Sequence, residues 1–251
     1  MAPFCHAAGP ALVRVAMSEA GVPTSYSENG KAAGVLRELL EAVFSELPGY
    51  RLEFHVYPWT RAQRAVEDGS MDIFITFPAA NRVSYAGFTA HAIYALDYGT
   101  IVYDRTSPKA ATIAAARSFE DLRQMVFVQQ DGVAWEQENV PAYIKRYQVN
   151  GPSSLMHMTF RRRTGDFFIM NPEKAVHNAR ELGYESQLGM KKVSFIPNSL
   201  VHFHIGLRHS YADSKTLLAA MDGVLKQPEF QRRKRTIEQK YHERYALPAS
   251  R

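Results

Sequence analysis

Residues 58–88, PWTRAQRAVEDGSMDIFITFPAANRVSYAGF, decide the fold. Thr60 followed by Gln63 has the spacing of a capping box, in which the two side chains satisfy free amides of a first helical turn. Gly69 stops that helix, because the left-handed C′ position suits glycine. Met71 to Phe77 is almost wholly apolar, the pattern of a parallel strand covered on both faces. Pro78 takes the chain out of the strand, and Arg82 follows beyond its carboxyl end, the edge at which open α/β sheets bind small ligands. Arg82 is therefore a candidate anion anchor: its planar guanidinium grips a carboxylate with two parallel hydrogen bonds, which lysine cannot imitate.

Upstream, Leu12 to Met17 reads as a first strand, and Pro23 to Lys31 is turn chemistry centred on Asn29-Gly30. Val35, Leu36, Leu39, Leu40, Val43, Phe44 and Leu47 recur at helical spacing until Pro48-Gly49 ends the run. Leu52 to Tyr57 alternates as a half-buried strand does. Strand, helix, strand, helix, strand at this spacing is a doubly wound parallel unit.

Downstream, Tyr98 to Tyr103 is a strand, and Thr106 to Arg117 is a linker or surface loop leading to a new unit. Ser118 with Asp121 opens a short helix, and Met125 to Gln129 is a second buried strand, followed by a turn at Gln130-Asp131-Gly132. Trp135 to Arg146 is helix-compatible, with a break at Pro141. Phe167 to Met170 is a further short strand, opening through Asn171-Pro172 into a helix over 173–182. Val201 to Leu207 is a strand, followed by helices over 214–226 and 229–241 divided by Pro228. Alternation that restarts after the linker marks a second α/β lobe.

The chain has 251 residues, of which 46% are hydrophobic and 12% aromatic, enough to build a core. The net charge of +5 is spread among acidic residues and does not by itself indicate nucleic acid. The basic runs at 161–163 and 232–235 lack interleaved aromatics and read as solvated faces, so no nucleic-acid partner is expected. No apolar run reaches the length that spans a bilayer. One cysteine, Cys5, allows neither an intrachain disulfide nor a cysteine-based zinc site. His202 and His204 share a strand face near His209, but no third ligand is fixed beside them, so a structural role is expected, with no metal and no cofactor. Walker, nucleophile-elbow and His-Glu-x-x-His signatures are absent, which argues against the standard enzyme classes. Residues 1–10, MAPFCHAAGP, end in small residues as a secretory signal does but lack its apolar core. They are a leader remnant or a tail.

The ordered set of features resembles the family 3 extracellular solute-binding proteins, the type II periplasmic fold serving polar amino-acid ABC transporters. The resemblance rests on several matches along the chain. They are Asn29-Gly30 and Gly34, Gly69 with Asp72, and Arg82 with Phe88-Thr89 and Tyr94. In the second lobe they are Ser118-Phe119-Glu120-Asp121-Leu122 leading into 126–129, then Gly165-Asp166, and the closing helices at Lys240-Tyr241. It implies two doubly wound α/β lobes, residues 11–98 with 205–251 and residues 99–204, joined by a two-segment hinge near 96–103 and 201–207. It further implies a monomeric periplasmic protein that captures a small molecule and presents it to a membrane permease, without catalysis. Ligand contacts expected on the first lobe are Tyr26, Trp59, Thr76, Phe77 and Arg82, with the aromatics as walls. On the second they are Gln130, Gly132, Val133 and Asn171.

The departures bear on the ligand. Where the family has Thr-x-x-Arg, this sequence has Ala79-Ala80-Asn81-Arg82. Where it has Gly-Thr, the chain has Gly132-Val133, and where an aspartate holds the ligand's ammonium, it has Asn171. A carboxylate anchor is retained and the ammonium anchor is not, so the expected ligand is a small carboxylate-bearing solute. Two other readings share the fold. One is a sensory ligand-binding module; the other is a cyclohexadienyl dehydratase-like enzyme, for which Glu136 or Asp131 would serve as the acid.

Overall fold

The structure, a computed structural model, describes residues 9–131 and 133–245. Most of the 1–10 segment and Gly132 lie outside the described residues. The chain divides into two compact units, Met1–Ala95 with His202–Arg244 and Leu96–Val201 with Tyr245–Arg251.

In chain order the first unit contains β1 (Ala11–Ser18), β2 (Ala20–Gly21), β3 (Ser25–Glu28), β4 (Lys31–Ala33), α1 (Val35–Phe44), β5 (Tyr50–Tyr57), α2 (Trp59–Glu67), β6 (Ile73–Thr76), α3 (Ala80–Val83), β7 (Ala86–Phe88) and the start of β8 (Tyr94–Asp97), which runs across the boundary. The second contains β9 (Thr100–Asp104), α4 (Ala110–Ala115), β10 (Val126–Gln130), α5 (Ala134–Asn139), β11 (Lys145–Val149), α6 (Pro152–Met156), β12 (Phe167–Ile169), α7 (Pro172–Glu181) and β13 (Leu188–Lys192). Strand β14 (Leu200–Arg208) leads back to the first unit, which is completed by α8 (Ser214–Leu225) and α9 (Pro228–Tyr245).

The first unit's main sheet runs β5-β1-β6-β14-β7, with β8 also on β14. Strand β1 is parallel to both β5 and β6, so strand order reverses at β1, as in a doubly wound sheet. Strand β6 is not in the all-parallel setting its sequence suggests, because β14 pairs with it antiparallel, His204 opposite Thr76 and Leu207 opposite Ile73. Its apolar run reflects a central position with both faces covered, which neighbour direction does not change. Phe74, fully buried, is packed by the rings of Trp59, Tyr85 and Phe88. Burying a side chain of that size contributes about 2–3 kcal/mol.

At the start of β6, Asp72 accepts four hydrogen bonds. Three come from the amide, Nε and Nη2 of Arg14 on β1 (2.8, 3.1 and 3.0 Å), and one from Nε of Arg208 on β14 at 2.9 Å. One buried carboxylate thus ties three strands of the sheet together, and these charge-assisted bonds hold it below the ordinary carboxylate range despite burial.

Several local expectations are corrected. The capping box does not form: Pro58 is the N-cap of α2, with no side-chain cap, and Gln63 bonds elsewhere. Tyr26 is not in a turn but in β3, where it is buried. The segment Pro23 to Lys31 contains β3 and the β3–β4 hairpin, whose turn residues Asn29 and Gly30 both have positive φ (52° and 74°), as a type I′ turn demands. The 106–117 segment contains α4, and the 135–146 helix ends at Asn139, before β11. Strand β11 is an edge strand exposed along much of its length, so its sequence carries no apolar alternation.

The second unit's sheet runs β11-β10-β12-β9-β13, with β10 parallel to β11 and β12 and with β9 antiparallel to β12 and β13. Its core is built on Ile101, Val102, Phe127, Val128, Phe167 and Phe168, all fully buried.

Candidate functional site

On the first unit, the chain leaves β6 through Phe77-Pro78-Ala79 and turns into α3, which carries Arg82. Arg82 is buried, 8% exposed. Its Nε donates to Gln63 Oε1 at 2.8 Å and its Nη1 to the Phe77 carbonyl at 3.1 Å. It packs over the Phe77 ring at 4.5 Å and the Trp59 ring at 5.6 Å. Both hydrogen-bond partners are neutral. Among the described residues no carboxylate lies within ion-pair distance, and Nη2 makes no hydrogen bond. Burial pulls the group below the ordinary guanidinium value, yet an arginine stays cationic in a protein. A buried cation costs several kcal/mol unless it is paired, and Nη2 has no hydrogen-bond partner among the described residues.

The other first-unit candidates divide. Trp59 and Phe77 are partly exposed and flank Arg82. Thr76 is buried within the β6–β14 pairing, 3% exposed, and Tyr26 sits in the small β2–β3–β4 sheet. Among the described residues no hydrogen bond or ring contact joins either of them to Arg82. Sequence reasoning missed Gln63 as the residue that orients Arg82; its helical spacing with Thr60 drew it into the capping reading. A recess of about 530 Å³ lies along α2, lined by Tyr57, Thr60, Arg61, Arg64, Ala65, Asp68 and Ser70. Arg82 is not among its walls.

On the second unit, Phe127 of β10 pairs in parallel with Phe167 of β12. Asp131 and Asn171 each follow just past the carboxyl end of their strand. Gln130 donates its amide to Glu136 Oε2 at 2.9 Å, which folds α5 back onto the strand end. Val133 is partly exposed on this loop, and its carbonyl accepts from the Glu136 amide. Asn171 is the N-cap of α7: its Oδ1 accepts from the Lys174 amide at 3.1 Å, which leaves its amide nitrogen as the unused part of the side chain. Glu136 is 4% exposed, and desolvation raises its carboxyl to about 8. Tyr98, stacked on Trp135 at 4.8 Å, is pushed up to about 12 by burial and by Glu136.

Histidines 204 and 209 bond to the backbone carbonyls of Thr89 and Val83. Among the described residues no group of His, Cys, Asp and Glu could hold a metal, and no helix is long and apolar enough to cross a membrane.

The family model of bacterial extracellular solute-binding proteins, family 3, matches residues 13–244. The chain belongs to that family. Solved structures similar to this solute-binding protein include the substrate-binding protein of an amino acid ABC transporter. That structure has a TM-score of 0.68 and 19% identity, with 92% of this chain and 99% of the other covered. A Streptococcus pneumoniae amino acid ABC transporter substrate-binding protein bound to L-arginine has a TM-score of 0.69 and 16% identity, covering 94% and 97%. A histidine kinase sensor domain has a TM-score of 0.67 and 18% identity, covering 92% and 96%. At these identities the likeness shows the fold, the type II periplasmic binding architecture. No curated protein matches the chain.

Proposed function

We propose that this solute-binding protein captures a small carboxylate-bearing solute outside the cytoplasmic membrane and delivers it, as a monomer, to the permease of an ABC transporter. The observation that carries this reading is Arg82. It is a buried cation at the carboxyl edge of a doubly wound sheet, oriented by a neutral amide and a carbonyl, with Nη2 unbonded and no carboxylate to neutralise it among the described residues. A ligand carboxylate supplies the missing charge and accepts from the free nitrogen. Trp59 and Phe77 form apolar walls beside it. The retained solute leaves chemically unchanged; binding, not turnover, is the task. Family membership supports the transport assignment, and the sensor-domain likeness keeps signalling as the alternative use of the same binding event.

The test is a thermal-shift screen of the purified protein against monocarboxylates, dicarboxylates, amino acids and free amines. Stabilisation by acids supports the reading. Stabilisation by amines alone overturns it.

A further inference from the structure

The chain passes between its units at Ala95–Leu96 and at Val201–His202, with Tyr245, near its end, grouped with the second unit. Just inside the second unit the two crossings are fastened to each other: the Tyr98 amide donates to the Ser199 carbonyl at 2.7 Å. Both are also fastened to α5. The indole of Trp135 stacks on the Tyr98 ring at 4.8 Å, and its Nε1 donates to the Asn198 carbonyl at 2.9 Å. Asn139, buried one turn further on, accepts at Oδ1 from Nδ2 of Asn198 at 3.0 Å, and its own Nδ2 donates to the Trp135 carbonyl at 2.9 Å. Trp135 and Asn139 are four residues apart and so share a face of the helix. Asn198 meets them from a left-handed backbone, φ 47°, which asparagine tolerates.

The same helix is fastened to the sheet. Buried Glu136 accepts the Gln130 amide at Oε2 (2.9 Å), and its own amide donates to the Val133 carbonyl at 3.1 Å. The last residue of β10 and both crossings therefore hang on Trp135, Glu136 and Asn139 of a helix of six residues, AWEQEN. A helix so short does not persist on its own backbone bonds, so the contacts on its two sides hold it jointly, and loosening one side loosens the other. We propose that α5 is a conformational latch, tying the loop after β10 to both crossings. That loop lies past the carboxyl end of a strand, where α/β sheets bind ligands, and the crossings are the covalent connections between the units. The latch thus makes the stiffness of those connections depend on the state of the loop, and by linkage the reverse. It goes beyond the reading of Arg82 and does not depend on it.

Hydrogen exchange followed by mass spectrometry on the full chain tests it, and because no solute is needed the outcome is independent of the Arg82 anchor. Glu136→Ala removes the acceptor of the Gln130 amide. Losing one buried hydrogen bond corresponds to about tenfold in a local opening equilibrium, so exchange over 96–100 and 198–201 should quicken by about that factor, although Glu136 bonds to neither segment. Asn198→Gly keeps the backbone conformation and removes the bond to Asn139. It should quicken exchange at Gln130 and Glu136 on the far side of the helix. Glu136→Gln keeps an oxygen for the Gln130 amide and should restore protection of the crossings. Exchange over Ile101–Tyr103 and Phe167–Ile169, in the core of the sheet, should stay unchanged throughout. Acceleration confined to the altered side of α5 overturns the latch. So does equal acceleration in the core strands, which would report a loss of the unit's overall stability. Should Glu136→Ala not fold, Trp135→Phe removes only the Nε1 donor and keeps a ring on Tyr98. Quickened exchange at Gln130 in that variant supports the latch, and unchanged exchange there overturns it.

Discussion

Replacing Arg82 with methionine separates a binding cation from a structural one. Methionine keeps the aliphatic stem between the Trp59 and Phe77 rings and removes the guanidinium. The ligand-free protein loses two hydrogen bonds, to Gln63 and to the Phe77 carbonyl, each worth roughly 1.5–3 kcal/mol for a charged donor. It also loses two ring contacts of about 0.5–2 kcal/mol each. Against this, it no longer has to desolvate an unpaired cation, a relief of several kcal/mol. The opposing quantities are of similar size, so the net change in stability is expected within about 2 kcal/mol, a few degrees in Tm for a chain of this length. Binding has no such compensation. A carboxylate loses both its charge partner and its donor, at least about 3 kcal/mol or more than a hundredfold in Kd. Calorimetric melting of the ligand-free variant, paired with titration by the acids that stabilise the unaltered protein, reads the two effects separately. A small Tm change with abolished binding is the expected result. Undiminished binding, or a Tm drop beyond about 10 °C, would refute the reasoning, the latter by showing that Arg82 holds the fold.

Two further outcomes test the frame that carries the site. Asp72→Asn should destabilise the first unit by about 3 kcal/mol at pH 7, because it leaves Arg14 and Arg208 facing a neutral amide. Asp72 has a folded-state pKa depressed below its unfolded value. Its contribution is therefore complete above pH of about 4 and is lost as pH falls through the folded value; melts of the two proteins should converge on acidification, and a gap independent of pH would exclude the charge explanation. Gly34→Ala places a Cβ 2.6 Å from the Thr24 carbonyl oxygen at φ +114°. Denaturant unfolding should show a loss of roughly 2 kcal/mol or more, and an unchanged midpoint would mean that the entry to α1 relaxes freely.

How much was legible in the sequence follows from which signals are local. The apolar period of α1, the run in β6 and Gly69 after α2 state their own structure, since each depends on neighbours a few residues away. The exposed edge strand β11 and helix α4 gave no such signal, because neither carries an apolar pattern long enough to be read. At the site, Arg82 was visible as an arginine past a strand end. That it is buried, oriented by Gln63 and left without a carboxylate is a matter of residues 19 positions away in the chain. Glu136 shows the same limit: the sequence offers it as a candidate acid, but its burial against the end of β10 comes from the fold.

The amino-acid order by itself determined the α/β class, the two-part organisation, the arginine after the first buried strand and the loss of the aspartate at Asn171. Only the tertiary structure decided which side chains have partners. Hydrogen-bond saturation and desolvation are properties of a three-dimensional neighbourhood: Arg82 is unneutralised and Asp72 is tied to two arginines because of the strands that pack beside them. Period and spacing report which face a residue occupies. They do not report what stands opposite it.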